Sequence, residues 1–106
     1  MSWYYLLLAG LFEMGWPFGL KLSQTMPSKF FGIFMAVVSM ILSGYFLWMA
    51  QKTIPIGTAY AVWTGIGAVG TLFIGILYFG DSANVWRLLS VLLIIVGIIG
   101  LRITNN

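Results

Sequence analysis

Four long apolar runs, separated by three short polar breaks, take up nearly the whole sequence. Pro27-Ser28-Lys29, Gln51-Lys52-Thr53-Ile54-Pro55 and Gly80-Asp81-Ser82-Ala83-Asn84 are the breaks. Each run is about 20 residues, the length an α-helix needs to cross a hydrocarbon core about 30 Å thick. The pattern predicts an all-α integral membrane protein with four transmembrane helices, in one membrane domain over residues 1–106. The helices are expected at approximately 3–22, 30–50, 56–79 and 85–103. Ser82 or Asn84 suits the cap of the fourth. Residues 1–20 read as a span, not a cleaved leader: they carry no base, Glu13 interrupts them, and no small-residue cleavage site precedes Lys21. Little chain is left for a domain outside the bilayer, so function is expected inside it.

Composition supports this reading and removes whole classes of chemistry. Hydrophobic residues make up 61% and charged residues 7%, where a soluble domain has roughly 25% charged. A chain this small exposes much of its surface, so its surroundings are largely lipid. The net charge of +3 is small and scattered, which does not suit tracking a nucleic-acid backbone. With no Cys and no His, there is no thiol nucleophile, no imidazole base and no Ser–His–acid arrangement. Two acids make a poor metal cage. No cofactor, metal or enzymatic activity is expected.

Lys and Arg near the helix ends set orientation in a membrane. Lys52 and Arg102 fall on one side, and Lys21, Lys29 and Arg87 on the other. This near balance suits a chain that inserts both ways, with oppositely oriented copies pairing as an antiparallel homodimer of eight helices. It also suits one weakly determined topology. Small residues let membrane helices approach, and in the fourth helix Ser90, Gly97 and Gly100 supply a candidate dimer face.

Glu13 is the charge that solubility and topology leave unexplained. It lies in mid-span, where a charged side chain costs several kcal/mol unless paired, hydrated or protonated. Residues three and four positions away share its helix face: Ala9, Gly10, Trp16 and Pro17. Gly10 would leave room for a ligand, and Trp16 offers a π face to a cation. Pro17 lacks an N–H, which removes the usual helix donor to the Glu13 carbonyl.

In the third helix, Tyr60, Trp63, Thr64 and Gly67 fall on one face. Tyr60 can hydrogen-bond a carboxylate and Trp63 can stack on a flat cation. Trp3, Trp48 and Trp86 fit interfacial belts, but Trp63 lies about two turns inside its helix. Gly65, Gly67 and Gly70 make this helix slim, as a hinge or as a close-packing surface would require. Ser43, in the second helix, could orient the carboxylate. A carboxyl group that must release its proton to take a cation provides exchange directly, so the arrangement implies a proton-coupled cation antiporter.

The sequence resembles the small multidrug resistance transporters, and within them the guanidinium-exporting branch. The resemblance rests on Ala9-Gly10-Leu11-Phe12-Glu13-Met14-Gly15-Trp16, on the stretch from Pro55 through Tyr60-Ala61-Val62-Trp63-Thr64-Gly65-Ile66-Gly67 to Gly70, and on Gly97-Ile98-Ile99-Gly100-Leu101. It covers essentially the full length. It implies a multi-pass protein of the bacterial inner membrane that forms an antiparallel, dual-topology homodimer around a shared Glu13 site. It also implies guanidinium-type cations and protons as the species carried, with Gly10, Trp16, Ser43, Tyr60 and Trp63 at the binding site. A planar guanidinium fits such a site, since it can bond a carboxylate at two points and stack on Trp. Pro17 and Gly44 depart from the branch pattern, and Gly44 suggests a side portal that admits substituted cations such as quaternary ammoniums. Asp81 stands in a loop and reads as inconsequential. A broad hydrophobic-cation exporter and a subunit of a hetero-oligomeric exporter are the competing readings.

Overall fold

The computed structural model describes residues 2–25 and 27–104. Four α-helices follow in order: α1 (Ser2–Thr25), α2 (Lys29–Ala50), α3 (Ile56–Tyr78) and α4 (Val85–Thr104). The first runs three residues past its expected end because polar side chains tie up the carbonyls of its last turns. Ser23 Oγ donates to the Leu20 carbonyl at 2.6 Å, and Thr25 Oγ1 to that of Lys21 at 3.2 Å. Pro17 sits inside α1 without ending it.

The breaks also have local causes. Ser28, in extended conformation, precedes α2. Pro55, whose ring presets φ, stands just before α3. Gly80, at φ 74°, provides the left-handed turn that ends it. Of the two candidate caps for α4, Asn84 serves: its Oδ1 accepts the Arg87 N–H at 3.0 Å. Ser82 instead accepts from Asn84 Nδ2 at 3.2 Å.

Helix α1 packs chiefly on α2, then on α3. The α1–α2 seam is made of small residues. A Cβ on Gly19 would stand 2.6 Å from the Gly32 carbonyl oxygen, and one on Gly32 2.5 Å from that of Gly19. Gly15 meets the Ser39 side chain one turn further along, and Ala36, Ser39 and Ser43 bury the α2 side of the seam. Lipid tails are as apolar as leucine, so close backbone approach holds such helices together. An apolar cluster of Leu6, Ala50, Ile54, Ala59 and Val62 closes one end.

Three helices, α2, α3 and α4, are long and apolar enough to cross a membrane on their own composition. Helix α1 has the length, roughly 36 Å at 1.5 Å per residue, but carries Glu13, Lys21 and Gln24. It is the most sheltered helix, held between α2 and α3. Helix α4 is the opposite case: Val91 is its only buried residue among those described. It lies on α3, and its end touches α1 where Arg102 sits 4.7 Å over the Trp3 ring. The described residues form a slab 48 × 34 × 17 Å.

Candidate functional site

Glu13 projects from the middle of α1 toward α3. One turn along, Trp16 Nε1 donates a hydrogen bond to Glu13 Oε1, as their spacing allows. On the facing helix, Gly67 is buried, and a Cβ there would stand 2.5 Å from Glu13 Cγ. Only a residue without a side chain lets the Glu13 stem pass. Gly70 meets the Met14 side chain in the same way, and Gly65 would meet Ile98 of α4 at 2.9 Å. All three lie inside an uninterrupted α3, and each gives room to a neighbouring helix.

The aromatic residues are held by a short chain of hydrogen bonds. Ser43, 1% exposed, donates to the Ala9 carbonyl at 2.7 Å. It accepts from Trp63 Nε1 at 2.8 Å. Ser43 therefore fixes α1, α2 and the Trp63 ring together and does not bond the carboxylate as expected. Trp63 in turn lies against Tyr60, with ring centroids 5.5 Å apart at 57°.

Two cavities meet at Glu13. One, of about 390 Å³, is lined by Glu13, Trp16, Ser43, Gly44, Tyr60 and Trp63 among others. The second, of about 420 Å³, is lined by Glu13, Trp16, Pro17, Thr64, Thr71 and Arg87 among others. Glu13, Trp16 and Thr64 line both and form the partition between them. Five of the six expected binding residues come together around the first cavity. Gly10 does not: it is buried, and a Cβ on it would stand 2.6 Å from Ile66 Cγ2, so its place is filled by α3 and not left for a ligand. A small residue beside an acid carries no signal that separates these two uses.

Gly44 has no neighbour within 4 Å of a Cβ position and lies on the open side of the first cavity. On α4, Gly97 and Gly100 likewise face open space. Ser90 is exposed, with its hydroxyl turned back to the Trp86 carbonyl at 2.9 Å. Toward the chain's ends and breaks, cations rest on aromatic faces, as Lys52 does 4.6 Å over Trp48. The second cavity was not foreseen. Its outer residues, Thr71, Asp81 and Arg87, come from the far end of α3, the turn after it and the start of α4.

Helices that span a bilayer, slim at their contacts and carrying one carboxylate at mid-depth beside Trp16, Tyr60 and Trp63, define a small multi-pass membrane transporter. The Small Multidrug Resistance protein profile matches residues 1–94. A guanidinium exporter of Salmonella typhimurium is 49% identical over 106 residues, covering 100% of both chains. One from Escherichia coli K12 is 48% identical over the same length, again covering 100% of both. One from Proteus vulgaris is 48% identical over 105 residues, covering 99% of this chain and 100% of that protein. The chain belongs to the small multidrug resistance family, and it is a multi-pass protein of the inner membrane.

Proposed function

We propose that this protein exports guanidinium and related small guanidinyl cations in exchange for protons, without chemical change to the substrate. The observation that carries this reading is the position of Glu13. It is the only acid within the helices, on the partition between two cavities, with Trp16 bonded to it and Trp63 and Tyr60 beside it. A guanidinium ion offers planar, paired N–H donors to a carboxylate and a flat face to an indole ring. The name shared by the relatives, guanidinium exporter, supports the same substrate class.

Exchange follows from each chain bringing a single carboxylate, Glu13, into the membrane. Proton and cation compete for Glu13, and an empty charged site is the form least able to reorient in lipid. The proton gradient across the membrane then drives the cation outward.

The working unit in this reading is an antiparallel homodimer with Glu13 of both copies at one site. Within one chain Glu13 is only half-buried, and a second copy would complete its surroundings. Helix α4, with one buried residue and with Gly97 and Gly100 open, supplies a face for a second copy. The near balance of Lys and Arg between the two sides supports insertion in both directions. Gly65, Gly67 and Gly70 are the positions where α3 would bend during the cycle.

A second reading, export of bulkier hydrophobic cations, draws on Gly44. No side chain closes the first cavity there. Purified protein in liposomes with an acidic lumen, and so an outward proton gradient, tests the assignment. Guanidinium should accumulate against its own gradient, and a saturating quaternary ammonium should compete weakly. Strong competition with no guanidinium accumulation would favour the second reading.

A further inference from the structure

The sequence contains two carboxylates, Glu13 and Asp81, and both line the same 420 Å³ cavity. Glu13 forms its inner wall in mid-membrane. Asp81, exposed in the turn between α3 and α4, forms its outer edge, and Thr64 and Thr71 lie along the α3 wall they share. This turn is fixed in place. The Asp81 N–H donates to the Gly75 carbonyl at 2.9 Å, and the Asp81 carboxylate lies directly against Gly75, which has no side chain to displace it.

Two cations flank Asp81. Arg87 shares the cavity, and its Nε is buried with no hydrogen-bond partner. Lys21 lines a neighbouring cavity of about 260 Å³ of which Asp81 is also a wall. Without the Asp81 charge, a cation entering the 420 Å³ cavity would meet Arg87 alone at its outer edge, with Lys21 adding positive charge from the neighbouring cavity. A mouth of one sign focuses its field on whatever enters, so the sign of this mouth depends on Asp81.

We propose that Asp81 is the entry determinant for the cation: it keeps this mouth passable to guanidinium and holds the ion on its way between water and Glu13. This rests on the reading that guanidinium-type cations reach Glu13. Asp81 is a positioning residue on the route, not part of the exchange itself.

The test is the initial rate of guanidinium uptake by proteoliposomes carrying wild type, Asp81→Asn or Asp81→Glu, at two ionic strengths. Asp81→Asn should raise KM about three- to tenfold with kcat little changed, and Asp81→Glu should restore it. The difference in KM should shrink between about 0.02 and 0.5 M salt, because screening hides an exposed charge. An unchanged KM in Asp81→Asn beside an active wild type would overturn the inference while leaving the role of Glu13 standing. A raised KM that ignores salt would overturn it too, since a merely structural fault has no reason to be screened. A wild type that does not carry guanidinium would remove the underlying reading, and this inference with it.

Discussion

Gly67 of α3 and Glu13 of α1 are in such close register that a methyl group on the glycine would stand 2.5 Å from the Glu13 Cγ. The Glu13 stem is flexible but is confined between α1 and a buried stretch of α3, so relief would come by moving the carboxylate or by parting the helices. Overpacking of this kind costs about 1–3 kcal/mol. Gly67→Ala should therefore reduce guanidinium transport by about tenfold or more, measured as proteoliposome uptake. Gly57→Ala, in the first turn of α3 with nothing within 4 Å, should behave as wild type.

Trp16 serves Glu13 through its indole N–H, which Trp16→Phe removes while leaving an aromatic ring. Hydrogen bonds to charged groups contribute about 1.5–3 kcal/mol, and an N–H donor favours the charged carboxylate. Without it the proton competes better, so the pH–rate profile of uptake should move to more alkaline values. At neutral pH, KM should rise about tenfold. A profile that keeps its position while activity falls would assign Trp16 to packing alone.

Ser43 and Trp63 should fail together. Ser43→Ala leaves the Trp63 N–H without its partner and takes a second bond from the Ala9 carbonyl, which keeps its helical one. Leaving buried polar groups unpaired costs about 1–3 kcal/mol. Both Ser43→Ala and Trp63→Phe should lower the thermal midpoint in detergent, and the double variant should lower it by less than the sum. Additive shifts would contradict the bond between them.

Much of this fold is legible in the sequence because lipid imposes a simple rule: apolar runs of membrane length, broken by Pro, Gly and polar residues, become helices. Glu13, Trp16, Tyr60 and Trp63 are recognisable for a related reason, since each is a polar or amphipathic group at a depth where lipid offers it no partner. What periodicity cannot supply is how the helices meet. Gly10 reads as space for a ligand, yet it is filled by Ile66. Ser43 reads as a partner for the carboxylate, yet it bonds Trp63. The α1–α2 seam did leave a signal, in the spacing of Gly15 with Gly19 and of Gly32, Ala36, Ser39 and Ser43. The second cavity left none, because Asp81 reaches it only through the turn made at Gly80.

The α4 face gives a prediction about assembly. Gly97 and Gly100 face open space, so a larger side chain there harms nothing within one chain. Gly97→Leu should leave the single chain's helices intact by circular dichroism. It should shift the protein from dimer to monomer in detergent, measured by light scattering, with transport lost in parallel. A Gly97→Leu variant that stays dimeric would place the second copy on another face.

In the proposed exchange, Glu13 carries both the proton and the cation. The direct measurement is the current that guanidinium evokes on a solid-supported membrane, with wild type and Glu13→Gln reconstituted at equal density. Wild type should give a substrate-coupled proton current that weakens as the substrate side is acidified, because protons then occupy the site. Glu13→Gln keeps the shape of the side chain and removes its charge, and it should give no such current at any pH. A guanidinium-evoked proton current that persists in Glu13→Gln would contradict the account.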